Sequence, residues 1–213
     1  MKDPGLYAIV DVDALSARNV PLLPFARAVL EARPARLQLR AKSASANETL
    51  ALLRALRQPC TAAGAQLFAN DRPDLALLAG CDGVHVGQED LEVQDVRRFA
   101  PALRIGVSTH DLGQLDRALA ARPDYVAFGP VFPTRSKARP DPVVGLEGLG
   151  QAAARAGAAG IPRVAIGGIG LEDCARVAEL GASAAIIGAL VEPAPDLEAV
   201  SARAKALVRA LSG

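Results

Sequence analysis

Short apolar runs rich in Val, Ile, Leu and Ala alternate with longer amphipathic stretches along the whole chain. Runs of this length bounded by turn residues read as buried strands, and the stretches between them carry helical spacing. Strands are predicted over residues 6–10, 36–40, 66–69, 83–86, 104–107, 125–128, 163–166 and 184–187. Helices are predicted over residues 24–31, 47–63, 73–79, 91–99, 111–121, from near Leu146 onward, over 171–180 and over 196–211. In the second of these Asn47 is a plausible N-cap, and Leu50, Leu52, Leu53 and Leu56 follow at helical spacing. Pro and Gly fall between the elements, where chain breakers belong.

The pattern amounts to eight strand–helix units. Strands separated by helices pair in parallel, because a crossover of that length suits βαβ geometry. Eight units in a chain of 213 residues predict an α/β protein folded as a single (β/α)8 TIM barrel, one domain over residues 1–213. The alternative is an open doubly wound sheet. No G-x-G-x-x-G follows the first strand, which counts against a dinucleotide-binding version of it. No linker or shift in composition marks a second domain.

Composition narrows the function classes. With 51% hydrophobic and 22% charged residues the chain is a globular sequence rather than a disordered one. A formal net charge of +1, without long basic or acidic runs, argues against a nucleic-acid footprint or a polybasic membrane anchor. Aromatic residues are 3% and Trp is absent, so base-stacking platforms are not expected either. The uncharged stretch 180–191 falls short of the roughly 20 residues that span a bilayer. Asp3, Pro4 and Asp11 make a poor signal peptide of the N-terminal run. Cys60, Cys81 and Cys174 are few, odd in number and far apart, so a reducing, cytoplasmic location is expected rather than a disulfide framework or zinc site.

In a parallel barrel all strands end on one face, and active sites gather there. Reactive side chains do collect after the strands. Gln38, Arg40 and Lys42 close the second strand, and Gln38 and Arg40 alternate with Leu37 and Leu39 so as to share one side. Two cations and an amide at a barrel mouth suit an anion; ordinary surface charge is the bland reading. Asn70 and Asp71 follow the third strand, and Gly87, Gln88, Glu89 and Asp90 the fourth. These acids are also ordinary helix caps. On neighbouring strand ends, however, Asp71 and Asp90 would repel each other, and a hard cation such as Mg²⁺, which takes one or two carboxylates plus substrate phosphates, would relieve the repulsion. Ser108, Thr109 and His110 follow the fifth strand, and a Gly/Pro-shaped loop from Gly129 to Lys137 the sixth, with Thr134, Arg135, Ser136 and Lys137 near its end. Gly167 and Gly168 follow the seventh strand and Gly188 and Ala189 the eighth, where barrels commonly bind phosphate through backbone N–H groups. Two anion sites in one cavity suggest a diphosphate and a monophosphate substrate. The spacing does not name their organic parts.

Taken together the motifs resemble the thiamine-phosphate synthase family. The matching segments are QLRAK from Gln38, AND from Ala69, GVHVGQED from Gly83, GVSTH from Gly106, GPVFPTRSK from Gly129 and AIGGI from Ala165. The resemblance implies that hydroxymethylpyrimidine diphosphate is coupled to hydroxyethylthiazole phosphate, giving thiamine phosphate and pyrophosphate by a dissociative route through a pyrimidine carbocation. It implies that Gln38, Leu39, Arg40, Ala41, Lys42, Asn70, Ser108 and Lys137 hold the pyrimidine diphosphate, with Arg40, Lys42, Ser108 and Lys137 as the catalytic set. Asp71 and Asp90 would bind Mg²⁺. Thr134, Arg135, Ser136, Gly168, Gly188 and Ala189 would hold the thiazole phosphate. Departures are few: Ser136 stands where the family often has Thr, and Ala189 of IIGALV stands where the family has the Ser of VVSAI.

Two rival readings remain at this point. The related thiazole tautomerases share the barrel and use a His after the fifth strand, a place that His110 occupies; retention of Lys42, Asp71, Gln88 and Asp90 favours the synthase. A non-catalytic barrel that binds thiamine precursors is the rival from another class. The partners expected are small-molecule substrates, with no nucleic acid, no membrane, and a homo-oligomer left open.

Overall fold

The computed structural model describes residues 5–134, 141–191 and 196–212. Eight parallel strands form a closed barrel in chain order: β1 (Leu6–Asp11), β2 (Arg36–Arg40), β3 (Gln66–Asn70), β4 (Gly83–Val86), β5 (Arg104–Thr109), β6 (Tyr125–Phe128), β7 (Arg163–Ile166) and β8 (Ser183–Ile186). Pairing of Leu6 with Ala184 and of Ala8 with Ile186 shuts the ring. Around it run α1 (Val12–Ser16), α2 (Leu22–Leu30), α3 (Ala46–Ala63), α4 (Pro73–Ala79), α5 (Val93–Phe99), α6 (Leu112–Ala120), α7 (Gly145–Ala158), α8 (Cys174–Glu179), α9 (Gly188–Val191) and α10 (Leu197–Leu211). The (β/α)8 TIM barrel expected from the alternation is the fold observed.

Alternation along each strand sorts side chains into two separate apolar clusters. Leu6, Ala8, Val10, Leu37, Leu39, Leu67, Val84, Val86, Ile105 and Val107 face outward and are buried beneath the helices. Tyr7, Ile9, Phe68, Tyr125, Ala127, Val164 and Ala185 face inward and fill the barrel. The scarce aromatic residues are thus concentrated where they fill most volume. The rings of Tyr7, Phe68 and Tyr125 pack with centroids 5.7–5.8 Å apart, and His85 stacks on Tyr125 at 5.6 Å. Below them the Arg36 guanidinium lies 4.8 Å from the Tyr125 centroid, within cation–π range. Two glycines make room for the rings. A Cβ on Gly83 would come within 2.3 Å of Phe68, and one on Gly106 within 1.9 Å of Tyr125.

At the amino-terminal end of the strands, acids serve the backbone. Asp82 accepts from the N–H of Leu67 at 2.8 Å, and Asp124 from that of Ile105 at 2.9 Å, each next to an arginine. These pairs satisfy strand-start donors that would otherwise be unpaired.

The element boundaries differ from the sequence expectations in instructive places. Ser45, not Asn47, caps α3, through a reciprocal capping box with Glu48. Strand β3 extends to Asn70 and β5 to Thr109, because ladder pairing continues through Asn70 with His85 and Thr109 with Phe128. The segment expected as one helix over 171–180 begins as a 3-10 turn at Leu171–Asp173 before α8. The short helices α1 and α9 escaped prediction because each is too brief to show a periodicity. Among the described residues no helix is long and apolar enough to cross a membrane.

Candidate active site at the carboxyl ends of the strands

The inward-facing ends of β1 to β5 deliver one polar cluster. Arg40 pairs with the carboxylate of Asp11, which is 3% exposed. Asp11 also accepts from the N–H of Ala14 at 2.9 Å and so caps α1. Register puts Asp11 directly beside Arg40 on the adjacent strand. Sequence reasoning missed Asp11 as a site residue because it reads as the polar stop of the first apolar run. Its inward parity with Tyr7 and Ile9 is the signal that would have found it.

Lys42 is ion-paired with Asp71. Asp71 follows β3 with φ 62°, a left-handed conformation that Asp tolerates better than most residues, and its N–H donates to the carbonyl of His85 at 2.8 Å. That bond ties the β3 loop to β4 and places Asp71 near enough to Asp90 to act on its carboxyl. Asp90 also accepts from the N–H of Gly87 at 2.7 Å. Burial pushes the Asp90 carboxyl above the usual range, and the neighbouring Asp71 adds to the rise; the Gly87 N–H and the Lys42 ammonium oppose it. Neither acid is a helix cap: Arg72 precedes α4 and Glu92 precedes α5, and neither side chain makes a capping bond. Among the described residues no group of three or more His, Cys, Asp or Glu side chains converges as a metal cage. Two neighbouring carboxylates, of which Asp90 is raised first by burial and further by Asp71, fit an ion such as Mg²⁺ that completes its shell with water and phosphate oxygens.

Gln38 is 2% exposed and donates through Nε2 to the hydroxyl of Tyr7 at 2.8 Å. Ser108 Oγ lies 2.8 Å from His85 Nε2, and Gln88 donates to the Ser108 carbonyl at 2.7 Å. Asn70 ends β3 in register with His85. The Leu39 side chain belongs to the outer cluster under the helices, which leaves its backbone for any contact at the mouth. Ala41 continues the chain just beyond β2 and is half-buried.

The loops after β6 and β7 form a single unit. The Gly129–Pro130 peptide is cis. Val131 and Phe132 donate to the carbonyls of Ile166 and Gly167, each at 2.9 Å. Gly167 and Gly168 have φ of 98° and 65°, and a Cβ on either would come within 2.5 Å of the Pro130–Pro133 segment. The glycine pair is therefore needed for the loop to close. His110 Nδ1 sits 2.6 Å from the carbonyl of Gly129 and 3.6 Å from Asp141, anchoring the same loop. Thr134 is half-buried at its end. Arg135, Ser136 and Lys137 lie outside the described residues, so their expected roles have no structural counterpart here. Gly188 and Ala189 open α9, and the Ala189 methyl packs against the outer core.

A separate cleft of about 570 Å³ lies on the outer surface between α2 and α10, bordered by Arg27, Glu31 and Lys205. It contains none of the residues singled out from the sequence.

Fold and strand-end cluster together define a (β/α)8-barrel enzyme with its polar groups at the carboxyl mouth. The chain belongs to the thiamine monophosphate synthase (TMP-TENI) family, whose model matches residues 6–190, and it is an enzyme of the transferase class. It is 42% identical over 198 residues to the thiamine-phosphate synthase of Koribacter versatilis (strain Ellin345), covering 91% of this chain and 92% of that one. It is 44% identical over 208 residues to the thiamine-phosphate synthase of Anaeromyxobacter dehalogenans (strain 2CP-C), covering 97% and 88%. Among solved structures, thiamine phosphate pyrophosphorylase from Pyrococcus furiosus superposes with a TM-score of 0.83 at 32% identity, covering 98% of this chain and 96% of that one.

Proposed function

We propose that this chain joins hydroxymethylpyrimidine diphosphate to hydroxyethylthiazole phosphate, releasing pyrophosphate, and that it does so with Mg²⁺ in one barrel domain. The observation that carries this reading is the convergence of Asp71, Asp90 and Lys42 beside Gln38, Arg40 and Ser108 on a single mouth. Departure of a diphosphate concentrates negative charge on its oxygens. Fixed cations already aimed at that region offset the charge without having to reorganise. In this reading Arg40 and Lys42 serve that role. Asp11 orients the first and Asp71 the second, and Lys137 joins them by family resemblance. Asp71 and Asp90 would hold Mg²⁺, which when bound supplies Lewis-acid neutralisation of phosphate oxygens. Gln38 and Asn70 would orient the pyrimidine, and the Ser108 hydroxyl would donate to phosphate. Thr134, Ser136, Gly168 and the backbone around Gly188 and Ala189 would take the thiazole phosphate.

The carbon–oxygen bond to diphosphate breaks first in this scheme, and the thiazole nitrogen adds to the resulting pyrimidinylmethyl cation. A neutral ring nitrogen needs no base to activate it. The protein's task is to align two ligands and to exclude water that would trap the cation. The bond between His110 and the Gly129 carbonyl supports a loop-anchoring role for His110 over an isomerase reading. Three free cysteines, all buried, support work in a reducing cytoplasm. Neither nucleic acid nor membrane enters the scheme, and a homo-oligomer is left open.

The test is a pyrophosphate-release assay with both substrates, with and without Mg²⁺, run beside an assay for thiazole isomerisation. Release that requires both substrates and the metal is expected. Isomerisation without release would favour the tautomerase reading, and binding of both ligands without either reaction would favour a non-catalytic barrel.

A further inference from the structure

A continuous hydrogen-bonded chain crosses the barrel interior from Gln38 to Ser108. Gln38 Nε2 donates to the Tyr7 hydroxyl; the Tyr7 and Tyr125 hydroxyls bond each other; the Tyr125 hydroxyl meets His85 Nδ1; and His85 Nε2 meets Ser108 Oγ. Each of the four links is 2.8 Å long. Its two ends are residues assigned above to the pyrimidine diphosphate. Its three middle members carry no role in that assignment.

Such a chain has two self-consistent directions, because each hydroxyl and a neutral imidazole has one proton to give. With Gln38 as the donor at one end, Tyr7 donates to Tyr125, Tyr125 to His85 Nδ1, and His85 through its Nε2–H to Ser108. The Ser108 hydroxyl proton is then released for another acceptor, and the Gln38 carbonyl oxygen is left to accept. In the reverse direction Ser108 spends its proton on His85 and has only lone pairs left, and the Gln38 amide must turn over. A doubly protonated ring would donate at both nitrogens and so would fit only with the Gln38 amide turned over; the two directions above are those of the singly protonated ring. Burial raises the Tyr7 hydroxyl to about 12 and holds that of Tyr125 well above its ordinary value, so both remain proton-bearing links.

We propose that Tyr7, Tyr125 and His85 are positioning residues that lock the Gln38 amide and the Ser108 hydroxyl into one shared direction, so that the site offers an acceptor to an amino-bearing heterocycle and a donor to its phosphate at the same time. The proposal rests on the reading of Gln38 and Ser108 as binding groups for one substrate. A ligand that fails to match both ends must either break a buried bond or reverse the chain. An unsatisfied buried polar group is costly, so the two ends are read as a unit.

The first test needs no substrate. The protein has two histidines, His85 and His110, and nitrogen-15 NMR of the histidine rings resolves them once His110→Ala has assigned the pair. The His85 ring proton is expected on Nε2, both alone and with inorganic pyrophosphate added. Gln38→Leu, at the far end, is expected to shift His85 toward the Nδ1–H form although the two side chains do not touch. In a Tyr125→Phe background the same substitution is expected to leave His85 unchanged. An Nδ1–H tautomer in the wild type, or a His85 indifferent to Gln38 while Tyr125 is intact, overturns the proposal. The second test is kinetic. Tyr125→Phe and Tyr7→Phe, each checked for a wild-type circular dichroism spectrum, are expected to raise KM for the pyrimidine diphosphate about fivefold, the loss of roughly one hydrogen bond, and to leave KM for the thiazole phosphate unchanged. Equal rises for both substrates would reduce the three residues to packing. If no pyrophosphate is released at all, the proposed reaction fails, and the NMR result alone decides on the relay.

Discussion

Gly106 faces the ring of Tyr125 so closely that a Cβ would lie 1.9 Å from Cζ and 2.3 Å from the phenol oxygen. Tyr125 is 1% exposed and packed against Tyr7 and Phe68, so the ring has no free side to move toward. Gly106→Ala should therefore destabilise the barrel by about 1–3 kcal/mol, the usual cost of overpacking a dense core. Urea unfolding measures it, and wild-type stability would show that the aromatic layer yields easily.

Ser45 and Glu48 cap α3 reciprocally. Ser45→Ala should cost about 1 kcal/mol. The Ser45 hydroxyl and then its N–H hold the Glu48 carboxyl below its ordinary range. A carboxyl lowered by folding stabilises above its unfolded value, and that contribution disappears as pH falls through the lowered one. The stability gap between wild type and variant should thus narrow in acid, and a gap that widens there would contradict the cap geometry.

Asp71→Asn and Asp90→Asn should each lower Mg²⁺-dependent pyrophosphate release by orders of magnitude, since either change removes half of an acidic pair that suits a single ion. Steady-state rates across a magnesium titration check this. Near-normal turnover at limiting magnesium in either variant would remove the metal assignment.

His110→Ala should keep the coupling rate within about fivefold of wild type, the scale of one net hydrogen bond, because the loss is the anchor to the Gly129 carbonyl. A collapse of the rate in a folded variant would point to proton transfer by His110.

Ala189→Ser places a hydroxyl at the start of α9, where the family resemblance leads one to expect it. KM for the thiazole phosphate should fall about fivefold, equivalent to roughly 1 kcal/mol. An unchanged KM would mean that backbone groups alone hold that phosphate.

Much of the candidate site could be read before the fold was known. Gln38, Arg40 and Ser108 stand out because a polar residue with inward parity at a strand end has few structural reasons to be there. Their partners were harder to see. Tyr7 and Tyr125 pass for ordinary apolar strand residues, and Asp11 for a strand terminator. Asp71 and Asp90 looked equally suitable as helix caps, since local sequence is the same for a capping acid and a free one. Leu39, carried along within a motif, turns its side chain to the helices.

The amino-acid pattern by itself determined the eight strands, which faces they bury, and which end of each strand is polar, because these follow from a two-residue alternation and from turn chemistry acting within a few residues. Closure of the ring decided the rest. It set Asp11 beside Arg40, Lys42 on Asp71, and Tyr7 on Tyr125, strands apart in the chain. Such pairings depend on the stagger and curvature of the whole barrel, which shape the distances across its interior and leave no trace in any local periodicity.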